Sequence, residues 1–174
     1  MDISSLSTQL GKFSDMKAQL PPVQDWAPEL SGKIDIVIKK DYRWFHEGDE
    51  IKREKLVRIF STILKREGDE FFLVTPVEKW QIEVEDTPFE VVLADINKDQ
   101  GKPVIRFITN TGDEVELGSE HPLVLDGVEI PQIEVRHGLM AKLNRNVYYQ
   151  LAEEALEKDG TYQVESGGDW FKLA

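Results

Sequence analysis

From Ile34 onward the apolar residues of this 174-residue chain fall at alternate positions in short runs, each closed by glycine or polar turn residues. Ile34, Ile36 and Ile38 share one face, Lys39-Lys40-Asp41 reads as a turn, and Trp44 and Phe45 follow before Gly48, which predicts a hairpin. Trp80–Glu85 alternates, Phe89–Ala94 is largely apolar, and Val104–Thr109 is set to pair with Asp113–Leu117 through Asn110-Thr111-Gly112. Further strands are expected at Glu70–Thr75, Gln132–Arg136, Leu139–Leu143, Tyr162–Val164 and Trp170–Leu173, the last two forming a hairpin around Gly167-Gly168. A side-chain period of two commits each run to a sheet with one face toward a core, so a mostly antiparallel β core is expected.

Helical spacing occurs in three segments. Leu6, Leu10, Phe13, Lys17 and Leu20 predict an amphipathic helix over residues 1–20, weakened by Gly11 and ended by Pro21-Pro22. Pro21–Pro28 is then expected to be extended, with Trp26 anchoring it across a groove on the main body. Lys52–Arg66 reads as a helix with Leu56, Ile59, Phe60, Ile63 and Leu64 on one stripe and Gly68 just past its end. Asn144–Lys158 reads as another, with Gly160 in the equivalent place. Shifting Arg53 onto Arg145, an offset of 145 − 53 = 92, also lays Leu56 on Tyr148, Ile59 on Leu151, Leu64 on Leu156 and Gly68 on Gly160. The expected class is therefore α+β, built from a duplicated hairpin–helix–strand unit; chance likeness between two amphipathic helices is the competing explanation. The organisation that follows is a helix over 1–20, an α+β domain over 21–86 and a β-rich domain with one helix over 87–174.

Composition narrows the function classes. Hydrophobic residues make up 40% of the chain, enough for a core, and the absence of cysteine excludes disulfides, thiolate catalysis and cysteine-held metals. Thirty-three Asp and Glu against 21 Lys and Arg give a net charge of −12, which argues against nucleic acid and anionic lipid as partners. No export signal or apolar span is visible, so a cytoplasmic location and no membrane partner are expected. The charge is uneven: residues 33–66 hold ten basic and six acidic residues, whereas 67–129 hold four and sixteen.

No reaction is written in a motif. His46, His121 and His137 lack metal-ligand spacing, the serines lack a nucleophile elbow, and phosphate-binding glycine loops are missing, so neither metal nor cofactor is expected and the chain is read as non-enzymatic. Glu83 and Glu85 share a strand face; a hydrolase using them is the weakest reading, a solvated sheet face the simpler one. Arg53 and Arg145 attract more attention, because each falls in the first turn of its helix, on the face of core positions and against the positive end of the dipole. A buried guanidinium there would need an anion: either an internal carboxylate, with Asp49, Glu50 or Glu78 the candidates for Arg53, or a ligand in a cleft shared with Arg136. Trp80 could stack a flat ring or belong to the core.

Pro21-Pro22-Val23 with Trp26-Ala27-Pro28, Gly32-Lys33-Ile34-Asp35-Ile36, Leu56-Val57-Arg58, Leu73-Val74-Thr75-Pro76-Val77-Glu78-Lys79-Trp80, Val84-Glu85-Asp86-Thr87-Pro88-Phe89 and Val135-Arg136-His137-Gly138-Leu139 resemble the bacterial domain of unknown function 1285 family over most of the chain after residue 20. The resemblance implies a two-part fold with internal duplication, a C-terminal half loosely like a pleckstrin-homology domain, and a nucleotide-like ligand at the domain interface with a role in signal transduction. It brings no catalytic residues. The candidate ligand-binding set is accordingly Arg53, Glu78, Lys79, Trp80, Arg136, Asn144 and Arg145, with the arginines taking negative groups, Trp80 stacking a base and Glu78 or Asn144 orienting polar edges. The competing expectation is a protein–protein interaction adaptor without a small-molecule ligand.

Overall fold

The structure is a computed structural model that describes residue 3, residues 20–125, residue 127 and residues 129–174. Apart from Ile3 and Leu20, the helix expected over residues 1–20 lies outside the described residues. The chain divides between Asp86 and Thr87 into two compact units.

The first unit is a six-stranded sheet made of two three-stranded meanders with a helix between them. Strands β1 (Gly32–Ile38), β2 (Trp44–His46) and β3 (Asp49–Glu50) form the first meander, and β4 (Leu64–Glu67), β5 (Glu70–Val74) and β6 (Lys79–Val84) the second. Helix α1 (Glu54–Thr62) joins them, and the sheet closes by parallel pairing of β1 with β6, giving the order β3-β2-β1-β6-β5-β4. Ile36, Ile38, Trp44, Phe60, Ile63, Leu64 and Leu73 are buried, with Trp44 and Phe60 stacked at 6.3 Å, so the core lies between α1 and one sheet face.

Helix α1 is shorter than its apolar stripe predicts. The hydroxyls of Ser61 and Thr62 each donate 2.6 Å bonds back to the carbonyls of Arg58 and Ile59, a local competition that weakens a helix end. Leu64 and its neighbours then pair antiparallel with β5, Leu64 opposite Leu73. The stretch after the prolines also departs from a plain extended chain: Val23–Asp25 is a 3-10 turn, Val23 is buried, and the Trp26 carbonyl accepts a 3.0 Å bond from Lys65 Nζ.

The second unit has its own six-stranded sheet and a separate three-stranded meander. Strands β7 (Phe89–Asp99), β8 (Lys102–Thr109) and β9 (Glu114–Glu116) form one meander, β10 (Leu123–Val124), β11 (Gln132–Arg136) and β12 (Leu139–Leu143) another. Parallel pairing of β12 with β7 again joins them, in the order β10-β11-β12-β7-β8-β9. Helix α2 (Arg145–Glu154) follows, then β13 (Leu156–Lys158), β14 (Thr161–Ser166) and β15 (Asp169–Lys172). Here too the expected helix is cut short, because Leu156–Lys158 pairs with β14.

Each helix is preceded by a hairpin whose tip is a left-handed residue followed by glycine, Glu47-Gly48 (φ 50° and 85°) in one unit and His137-Gly138 (φ 46° and 80°) in the other. With fifteen strands against two α-helices among the described residues, the architecture is mostly β, which corrects the α+β expectation. Short helices that only bridge meanders leave the sheets to form nearly all of the core.

Candidate anion-binding site at the first turn of α1

Arg53 is the N-cap of α1, with extended backbone and no side-chain bond to the helix start. The Leu56 and Val57 N–H groups both donate to its carbonyl, which leaves the N–H groups of Glu54 and Lys55 without a partner among the described residues. Lys52, Arg53, Lys55 and Arg58 are exposed, and no ion pair or hydrogen bond engages their charged groups among the described residues. Lys52, Arg53 and Lys55, against Glu54, thus flank the helix end whose dipole already favours an anion, with Arg58 one turn further along.

This geometry corrects the burial expected of the paired arginines. Arg53 and Arg145 both point to solvent, so neither needs an internal carboxylate, and Glu50 instead pairs with Arg43 at 3.4 Å. Lys52, Lys55 and Arg58 belong to the basic stretch of residues 33–66, and a charge excess alone does not tell a solvated helix face from a binding one.

The other candidates are held by the fold itself. Lys79 Nζ donates a 2.5 Å bond to Glu67 Oε2 and sits 4.3 Å over the Phe72 ring; that bond, first, holds the Glu67 carboxyl below its usual range against a smaller opposing effect of burial. Glu78 closes a tight turn, its N–H donating to Thr75 Oγ1 and its carbonyl accepting from Thr75 N–H at 2.8 Å. Trp80 packs beside Gly32, where an added Cβ would meet the indole at 3.4 Å, and its buried Nε1 has no hydrogen-bond partner among the described residues.

In the second unit Arg136 makes a 2.7 Å ion pair with Asp113 and lies over Phe89 at 5.2 Å. Asp113 is further held by Thr111 at 2.8 Å, so Arg136 is in a structural network. Asn144 caps α2, its Oδ1 accepting from Val147 N–H at 2.7 Å. Among the described residues no bond links Arg53 to Glu78–Trp80, or Arg136 to Arg145.

Two grooves, one within each unit, do not suit an anion. The first, about 560 Å³, is lined by Asp35, Asp69, Glu70 and Glu83 with Lys33; the second, about 350 Å³, by Glu116, Glu120 and Asp169 with His121. Among the described residues no group of three or more histidines and carboxylates is placed to hold a metal, and no helix is long and apolar enough to cross a membrane.

Fold and site together define a two-unit, mostly β protein with one concentrated cationic helix start. The family models for the N-terminal and C-terminal domains of DUF1285, a domain of unknown function, match residues 21–87 and 88–173, and the chain belongs to that family. It is similar to a DUF1285 family protein of Silicibacter pomeroyi DSS-3, with 38% identity over 90% of this chain and 88% of that one and a TM-score of 0.82. A DUF1285 family protein of Shewanella baltica OS155 is 27% identical over 68% of this chain and 90% of its own, with a TM-score of 0.55. No curated protein matches the chain.

Proposed function

We propose that the protein is a non-enzymatic module that binds an anionic, nucleotide-like small molecule, in the signal-transduction role that its family resemblance implies. The observation that carries this reading is the first turn of α1, where N–H groups without a partner lie in sequence beside exposed Lys52, Arg53 and Lys55, with Arg58 one turn further along, and no ion pair engages these cations among the described residues. Arg53 and Lys55 take the phosphate or carboxylate. Internal duplication belongs to the same reading, supported by the matching meanders and the paired Gly-turn hairpins. A pleckstrin-homology likeness of the second unit is supported by six strands followed by one helix, although β13–β15 extend beyond that pattern.

Thermal unfolding against nucleotides, cyclic nucleotides and phosphorylated metabolites tests it. A ligand at a hundred times its dissociation constant adds about 2.7 kcal/mol and raises the midpoint by roughly 5–10 °C. The shift is expected to vanish in Arg53→Ala/Lys55→Ala and to persist in Arg145→Ala. No shift from any compound in folded protein transfers the assignment to the adaptor reading, which the exposed Leu93, Tyr149, Leu156 and Tyr162 favour.

A further inference from the structure

Strand β7 outruns one of its two neighbours. β12 pairs with it only from Phe89 to Val91, whereas β8 pairs with it as far as Asp99, so among the described residues the stretch from Val92 onward has a strand on one side only. Which backbone groups face the open side follows from bonds made elsewhere. The Ile105 N–H donates to Ser166 Oγ, and the Pro103 and Ile105 carbonyls accept from the N–H groups of Gly167 and Leu117, all on the side of β8 away from β7. Antiparallel parity then turns Val104 and Arg106 toward β7, where they exchange bonds with Asn97 and Asp95. Ala94, Ile96 and Lys98 are left with N–H and C=O directed outward. Among the described residues only the Ala94 carbonyl has a partner there, accepting from Gln150 Nε2 at 3.1 Å.

A run of unmet backbone groups along a strand is a template for another strand. The side chains of this edge fit its own sequence. Laid antiparallel about Ile96, it sets Ile96 opposite Ile96 of a second copy, Ala94 opposite Lys98 and Asp95 opposite Asn97. Asn97 Nδ2 already donates to Asp95 at 2.8 Å within the chain, and it has the same bond to offer across the pair. Helix α2 runs alongside the edge, with Asn144 at Val92 and Gln150 at Ala94, so its next turn, carrying exposed Glu153 and Glu154, flanks the place where Lys98 of the second copy arrives. Residues 93–98 contain no proline and this register opposes no like charges, so the usual devices that keep an edge strand from its own copy are missing.

We propose that the open edge of β7 pairs antiparallel with the same edge of a second copy of this chain, through residues 94–98. The Lys98 N–H of the second copy takes over the Ala94 carbonyl from Gln150, and the Ile96 pair exchanges both of its bonds across the two-fold axis. Neither α1 nor its cations take part, so the pairing does not rest on the anion-binding reading.

Sedimentation equilibrium of the full chain at rising concentration tests it. Asp95→Lys/Asn97→Lys sets cations against cations across the pair, and Asn97→Asp sets carboxylates against carboxylates; both positions are exposed, and their backbone bonds to β8 are kept. The proposal expects a wild-type dimer whose dissociation constant rises roughly tenfold or more in each variant alone. A mixture of the two variants, which places opposite charges at each of these contacts, should dimerise again. Amide exchange on the wild type gives a readout that stands even if a variant folds poorly. The Ile96 and Lys98 N–H groups should slow as concentration rises, whereas those of Asp95 and Asn97, already bonded to β8, should not. A chain that stays monomeric up to about 1 mM overturns the proposal and leaves the edge to an extended segment of another protein. A dimer indifferent to both variants, or one lost in both and not restored by mixing, overturns it as well.

Discussion

Arg53 and Asn144 both stand as N-caps, one in each unit, and they leave their helices in different chemical states. The Asn144 side chain satisfies the Val147 N–H, whereas Arg53 has no acceptor to offer and leaves its first turn open to an outside anion. Arg136 shows the opposite limit, a guanidinium so well provided for by Asp113 that binding a ligand would mean breaking a mostly buried pair. Glu90 on β7 is the residue whose ionisation opposes folding, since burial pushes its carboxyl above the ordinary value of 4.5. A carboxyl raised in the folded state holds its proton more tightly there than in the unfolded chain. Its cost is therefore absent below about pH 4.5 and is incurred as the pH rises through the folded value. Glu90→Gln is expected to raise the unfolding midpoint at pH 7 and to lose that advantage below pH 4.5; an equal shift at both values would show that the carboxylate charge is not the cause.

At the level of elements, strands with clean alternation and a marked turn were legible: the hairpin at Ile38–Trp44, the pairing through Asn110-Thr111-Gly112 and the last hairpin at Gly167-Gly168 all form. The ends of the helices were not, because Leu64 and Leu156 fit a helical stripe as well as a strand, and cross-strand partners distant in sequence decide between them. The parallel β1–β6 and β7–β12 pairs were equally hidden, since alternation says nothing about which strand lies alongside. Of the candidate site, the basic stretch was legible but its solvent exposure was not. Lys65 illustrates how a buried cation ties elements together: its stem is covered in β4 while Nζ bonds the Trp26 carbonyl at 3.0 Å and approaches Glu67 at 3.6 Å. Lys65→Met keeps the stem and removes the donor. It is expected to cost about 1–2 kcal/mol in denaturant unfolding and to speed amide exchange in residues 23–26; unchanged exchange there would mean that the Lys65 bond does not hold the segment.

Across the whole molecule, each sheet is drawn from a single unit, and each unit repeats the device of two meanders sewn together by one parallel pair. Unit 2 has a full complement of buried apolar residues along its own strands and helix, among them Phe89, Val91, Phe107, Leu117, Ile133, Leu143, Leu151 and Val164. Its hydrogen-bond ladders also close internally, with the Ser166 hydroxyl donating to the Leu117 carbonyl and accepting from Ile105 N–H to fasten the last meander to β8. A chain segment that pairs its own strands and carries this many buried apolar residues has the makings of an independently folding unit at this size. Residues 87–174 alone are therefore expected to unfold in one cooperative transition, with a heat-capacity change of about 1 kcal/mol/K in calorimetry. A broad transition with native far-ultraviolet but lost near-ultraviolet dichroism would instead mean that the second unit takes its fixed packing from the first, because meander pairing would survive where side-chain order does not.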